Sequence, residues 1–222
     1  TPLVMAVEKV SPAVVNIYTT EVSRSARNPF RRSGNKFFDQ FFKDFLPPTP
    51  SQKRSLGSGV LINAEGFILT NEHVVARAAK IHVILSDKQE FDASVIGADM
   101  KSDLAIIKIN SDKPLPYVKM GRSDDLMIGE QILAIGNPFG LQQTVTTGII
   151  SALNRNIRAG KNMVYSDFIQ VDASINPGNS GGALLNINGS LIGINTAIYQ
   201  KAEGIGFAIP IDHAKRIVDE LI

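Results

Sequence analysis

The chain has 222 residues, 44% of them hydrophobic and 20% charged, with a formal net charge of +2. That is an ordinary globular composition with room for a sizeable core in one large domain or two small ones, and its near-neutrality argues against a dedicated nucleic-acid binder. The absence of cysteine excludes disulfides, thiolate metal ligands and a cysteine nucleophile while leaving the redox compartment open, and no apolar run is long enough to cross a bilayer.

Thr1-Pro2-Leu3 carries no targeting pattern, as in a cytosolic protein or one whose leader is missing from the sequence. Leu3, Val4, Val7 and Val10 suit a short amphipathic helix stopped by Ser11-Pro12, and the stretch from Ala13 to Thr19 reads as a first strand. The segment from Glu21 to Arg54 breaks the pattern with eight basic and three acidic residues and prolines at 47, 48 and 50. Within it Phe37, Phe38, Phe41, Phe42 and Phe45 recur at helical spacing and form an aromatic stripe. A loop this long in a compact domain is functional or disordered, and the stripe either packs on its own domain or makes a docking surface. Aromatics on one helical face weigh against nucleic acid as the partner.

From Leu56 onward short strands alternate with turn residues. Strands are predicted over 58–63, 67–70, 80–86, 91–98 and 104–109, then over 131–136, 144–154, 167–171, 183–188, 191–198 and 204–209. Asn63-Ala64-Glu65-Gly66 and Asn186-Ile187-Asn188-Gly189 are hairpin connections with glycine where a positive φ is needed. The proline-containing connector from Ser111 to Tyr117 splits the strands into two sets, and Asp212 is placed to cap a last helix with Ala214, Ile217, Val218 and Leu221 on its apolar face. The fold predicted is all-β: two six-stranded antiparallel β-barrels in tandem, about 10–115 with a long loop over 21–55 and about 116–210, flanked by a short N-terminal helix and a helix over 211–222.

Chemistry concentrates on Asn176-Pro177-Gly178-Asn179-Ser180-Gly181-Gly182. A serine hydroxyl needs a general base to become nucleophilic and donors to receive the oxyanion that forms. Such glycine-rich runs are most often plain turns, so Ser180 gains meaning only if a base and an acid exist for it. Of three histidines, His82 alternates with Ile81 and Val83 and reads as a surface strand residue, while His213 beside Lys215 and Arg216 reads as solvated. His73, just after a strand and at the start of a helical turn, is the remaining base, and Asp103 at the mouth of the apolar strand from Leu104 is the acid that would orient it. The order His73, Asp103, Ser180 is that of chymotrypsin-like double barrels and differs from those of subtilisin and the α/β-hydrolases.

The runs Thr70-Asn71-Glu72-His73-Val74-Val75, Ser102-Asp103-Leu104-Ala105, Ala134-Ile135-Gly136-Asn137-Pro138-Phe139-Gly140, Gly178-Asn179-Ser180-Gly181-Gly182-Ala183-Leu184 and Gly193-Ile194-Asn195-Thr196-Ala197 closely resemble the HtrA (Deg) family of serine proteases over about Ser11 to Lys215. The resemblance implies an ATP-independent endopeptidase outside the cytoplasm that degrades misfolded proteins or cleaves a regulatory substrate, and that assembles as a homotrimer through Val4 to Val15 and Tyr18, apolar residues that could equally close the first barrel. It implies Ser180 as nucleophile, His73 as base, Asp103 as orienting acid, the N–H groups of Gly178 and Ser180 as oxyanion hole, and Arg155 as a relay of activation. It also implies that Phe-rich loop 28–52 reaches a neighbouring subunit in larger assemblies, and that PDZ domains follow the protease domain, whereas this sequence stops at Ile222. Ile175 and Ile198, with Thr196 nearby, are expected to line an uncharged specificity pocket for small to medium aliphatic residues, since Ser174 stands about where trypsin-like enzymes need an aspartate. The residues call for no metal or cofactor; the competing reading is a holdase-type chaperone with incidental proteolysis.

Overall fold

The computed structural model describes residues 1–21, 54–76, 78–137, 143–158, 164–176, 178–196 and 204–221. Helix α1 (Pro2–Val10) and a 3₁₀ turn (Ser11–Ala13) lead into β1 (Val14–Glu21), followed by β2 (Arg54–Leu61), β3 (Phe67–Thr70), the single-turn helix α2 (Glu72–Val75), β4 (Ala78–Ile84), β5 (Glu90–Asp99) and β6 (Leu104–Ile109). After the connector come β7 (Gln131–Gly136), β8 (Thr144–Arg158), β9 (Val164–Val171), β10 (Ala183–Asn186), β11 (Leu191–Thr196), β12 (Gly206–Pro210) and α3 (Ile211–Leu221).

The strands close into two antiparallel barrels, β1-β2-β3-β6-β5-β4 and β7-β8-β9-β12-β11-β10. Adding six to each strand number of the first ring gives the second, so the tandem read from strand spacing is one topology used twice. The expected hairpin turns match as well: the Asn63 side chain accepts the N–H groups of Glu65 and Phe67, the Asn186 side chain those of Asn188 and Ser190, and Gly66 and Gly189 close the turns at φ +97° and +72°.

Strands facing apolar neighbours on both sides lose the alternation expected of a half-buried sheet. In β7, Leu133 and Ile135 join a core that includes Val14, Ile17, Leu61 and Ile106, while Ile132 and Ala134 enter a second cluster with Ile150, Ile169 and Ile192. Each of the valines, leucines and isoleucines among them contributes about 1.5–3 kcal/mol through burial. The barrels are therefore welded by β7 and β11 rather than merely adjacent. The connector is tied at both ends, with Val118 N–H donating to Leu61 O (3.0 Å) and Gly121 N–H to Leu191 O (2.7 Å).

Three expectations are corrected. β8 runs to Arg158 instead of ending at Asn154, which places Arg155 inside a strand paired with Phe168 rather than in the following loop. Register shifts on both sides of Arg155 let the ladder continue through the polar residues Asn154 to Asn156. Asp212 lies in the first turn of α3, where its carboxylate takes the N–H groups of Ser123 (2.6 Å) and Asp124 (3.1 Å) and faces Lys215 Nζ (2.7 Å), so it fastens the helix to the connector. His213 is half-buried rather than solvated; burial and the nearby Arg216 lower its pKa against the opposing pull of Asp167 and Asp99. The Phe-rich segment and Ile198 lie outside the described residues.

Candidate active site

Asp103 is fully buried at the start of β6, in the left-handed region at φ +55° that aspartate tolerates better than most residues. The preceding turn is set by Asp99, whose carboxylate accepts the N–H groups of Lys101 (3.0 Å) and Ser102 (3.2 Å) and the Ser102 hydroxyl (2.6 Å). Partial burial pushes the Asp99 carboxyl up, but these bonds together with His213 outweigh it and hold the pKa below the usual value.

A buried carboxylate is costly unless donors surround it. Asp103 has them: His73 Nδ1 lies 2.8 Å from Oδ1 and 2.9 Å from Oδ2, the His73 main-chain N–H donates to Oδ1 at 3.1 Å, and Thr196 Oγ1 donates to Oδ2 at 3.2 Å. The Asp103 carbonyl accepts Asn71 Nδ2 and the Glu72 N–H, both at 3.1 Å, which docks α2 against the head of β6. With an ionised carboxylate at Nδ1, the imidazole proton belongs on that nitrogen and Nε2 is the basic one.

The turn that carries Ser180 docks at the barrel junction against Ser58 of β2 and Thr70, three residues before His73. Gly178 and Gly181 adopt φ +96° and +82°. A Cβ at Gly181 would sit 2.1 Å from Ser58 O and 2.4 Å from Thr70 Oγ1, and one at Gly182 would sit 2.3 Å from Ile135 O. Two amides of the turn are committed internally, Asn179 to Asn176 O (3.0 Å) and Gly182 to Asn179 O (2.9 Å), and a third, Gly181, donates to Asn195 O of β11 (2.9 Å). Ser180, 2% exposed, accepts the Ser58 N–H at its own carbonyl (2.8 Å).

The other expected residues divide. Ile175 packs against the second core cluster and against Gly206, where a Cβ would approach it to 2.6 Å. Thr196, expected in the specificity pocket, is 1% exposed with its hydroxyl on Asp103, so the side chain serves the acid. Arg155 is exposed and donates Nε–H to Gln170 Oε1 (2.9 Å) across the β8–β9 ladder. His82 is half-buried with Nδ1 2.6 Å from Asp92 Oδ1, far along the first barrel's own sheet. No group of three or more His, Asp or Glu able to hold a metal occurs among the described residues.

Sequence reasoning missed Ser58, Asn195 and Gly206. Asn195 ties its amide and side chain to Gly182 O and Ala183 O (2.9 Å each), bracing the Ser180 turn from β11. The glycines of Gly57-Ser58-Gly59 were a usable signal, because glycine inside a strand marks close backbone approach.

The family model for the trypsin-like peptidase domain matches residues 57–194. A probable periplasmic serine endoprotease, DegP-like, of Chlamydia pneumoniae is 49% identical over 230 residues, covering 96% of this chain and 46% of that protein. The periplasmic pH-dependent serine endoprotease DegQ of Escherichia coli (strain K12) is 48% identical over 222 residues, covering 97% and 47%. Among solved structures, the HtrA-type protease AlgW with tripeptide superposes at a TM-score of 0.79 with 45% identity, covering 99% of this chain and 63% of that one. The chain thus spans about half the length of these curated relatives.

Proposed function

The chain belongs to the trypsin-like peptidase domain family and is HtrA-like within it, and from that premise we propose that it is an ATP-independent serine endopeptidase acting on unfolded or regulatory proteins outside the cytoplasm, in the periplasm. The observation that carries this reading is the buried Asp103–His73 pair at the junction where the Ser180 turn docks.

In the proposed mechanism Ser180 Oγ attacks the scissile carbonyl carbon and His73 Nε2 takes its proton. Asp103 stabilises the imidazolium across its two short contacts. The N–H groups of Gly178 and Ser180 receive the oxyanion; His73 then protonates the leaving amine, and water repeats the sequence on the acyl-enzyme. Ile175 beside Gly206 supports an uncharged pocket that takes small to medium aliphatic side chains, to which Ile198 is assigned from its place in the sequence alone. Thr196 holds Asp103. Arg155 relays activation from the β8–β9 ladder, the chain forms a homotrimer through the outer face of α1, and loop 28–52 extends it to larger assemblies; family likeness supports all three, and the exposed Val4 and Met5 support the trimer.

The test is digestion of β-casein by the parent and by Ser180→Ala, with mapping of the cut sites. The reading expects cuts after valine, alanine and residues of similar size, abolished in the variant. Dominant cleavage after lysine or arginine would overturn the pocket assignment, and undiminished digestion by Ser180→Ala would overturn the nucleophile. The holdase alternative has no observation of the described residues in its favour.

A further inference from the structure

Ser58 has no role in the mechanism above, yet its polar atoms face the turn that carries Ser180 or groups beside it. Its main-chain N–H donates to Ser180 O (2.8 Å), its Oγ donates to Gly178 O (2.6 Å), and the same Oγ accepts the Asn137 N–H at the end of β7 (2.7 Å). Its carbonyl accepts Thr70 Oγ1 (2.7 Å) three residues before His73. The residue is fully buried, and the flanking glycines let β2 come close: a Cβ at Gly57 would sit 2.9 Å from Ser180 O, and one at Gly59 would sit 2.6 Å from Ile68 Cγ2.

Peptide planarity makes these anchors directional, because fixing a carbonyl fixes the N–H on the far side of the same plane. The 178–179 plane is pinned at Gly178 O by Ser58 and at its N–H by Asn176 O. The 180–181 plane is pinned at Ser180 O by Ser58 and at its N–H by Asn195 O. The 179–180 plane, which carries the Ser180 N–H, is set by the bond from Gly182 N–H to Asn179 O. The Gly178 N–H lies one plane further out, across a glycine at φ +96° with little conformational preference of its own. The carbonyl anchor on Ser58 is what restrains that residue from the first barrel.

We propose that Ser58 is a positioning residue for the oxyanion hole: its hydroxyl, oriented by the Asn137 N–H, holds Gly178 O so that the Gly178 N–H faces the developing oxyanion. The inference rests on the reading of Ser180 as nucleophile. It makes the barrel that carries His73 and Asp103 set the backbone of the other half of the site, with Ser58 of β2 bonded both to Gly178 O and to Thr70, three residues before His73.

The test compares the parent with Ser58→Ala and Ser58→Cys, the latter nearly isosteric with a weakly bonding thiol. Three quantities are read: kcat on a peptide, the affinity of a peptide aldehyde, and the Kd of the substrate peptide on a Ser180→Ala background. The aldehyde adds Ser180 Oγ to its carbonyl carbon and leaves its oxygen in the hole, whereas the peptide on the alanine background forms no oxyanion. Losing an oxyanion donor outright costs about 10²–10³ in kcat, so misaligning one is expected to lower kcat about 10- to 100-fold and weaken the aldehyde in parallel. Peptide Kd stays within about twofold. Unchanged kcat and aldehyde affinity in both variants would overturn the inference. So would a peptide Kd that weakens as much as kcat falls, since that marks general disruption. If Ser58→Ala does not fold, Ser58→Cys decides on the same criteria. A parent that neither hydrolyses peptide nor binds aldehyde would overturn the serine-peptidase reading itself.

Discussion

Asp103 shows how one side chain organises the proposed site. A fully buried carboxylate surrounded by His73, the His73 N–H and Thr196 is held in one orientation by donors from both barrels. Asp103→Asn keeps the shape but offers the imidazole the wrong tautomer, so kcat is expected to fall about 10⁴-fold while the thermal midpoint moves little, measured by peptide hydrolysis and circular dichroism. Thr196→Val removes one donor from the carboxylate and is expected to cost about 1–3 kcal/mol in stability by denaturant titration, with a smaller loss of rate than Asp103→Asn. His73 and Asp103 were legible in the sequence because only three histidines compete and an aspartate heads an apolar strand. Thr196 was not. Its hydroxyl turns toward a carboxylate 93 positions away in the other barrel, and nothing local announces that.

Among the elements, the Ser180 turn and α3 depend on different forces. Gly181→Ala would place a methyl 2.1 Å from Ser58 O at a positive φ, so it is expected to abolish hydrolysis and lower stability by several kcal/mol rather than the roughly 1 kcal/mol of an ordinary helix or strand change. In α3, burial pushes the Asp212 carboxyl up, but Lys215, the Ser123 amide and the Ser123 hydroxyl outweigh it and lower the pKa to about 2 from 3.8. A depressed folded-state pKa gives stability that is present above the unfolded value and lost as pH falls from 3.8 through about 2. Discounted for the side chain's one-third exposure, this amounts to about 1 kcal/mol, so Asp212→Asn is expected to flatten the acid limb of a urea-midpoint-versus-pH profile. The strands were mostly legible from β-branched runs and turn glycines. The end of β8 was not, because irregular pairing carries the ladder through Asn154, itself at φ +54°, and polar composition alone reads that stretch as loop.

At the scale of the molecule, function follows from placing two copies of one barrel topology face to face. The first supplies His73, Asp103 and Ser58, the second Ser180, Thr196 and Ile175, the residue proposed for the pocket; β7 and β11, whose apolar side chains enter both core clusters, hold the halves in register. The strand spacing and the His73, Asp103, Ser180 order made that arrangement readable, whereas the contacts across the junction depend on tertiary packing. The homotrimer proposed from the resemblance predicts a sedimentation mass three times that of the chain, reduced to one chain by Met5→Glu on the exposed face of α1; a parent that sediments as a monomer would remove that proposal without touching the chemistry. The central claim is that Ser180 is a nucleophile made reactive by His73. It is tested by treating the protein with a fluorophosphonate and locating the adduct by mass spectrometry. The account predicts a single adduct on Ser180 that is absent in Ser180→Ala and slowed by orders of magnitude in His73→Ala; an adduct on another residue, or labelling of Ser180 at the parent rate in His73→Ala, would contradict it.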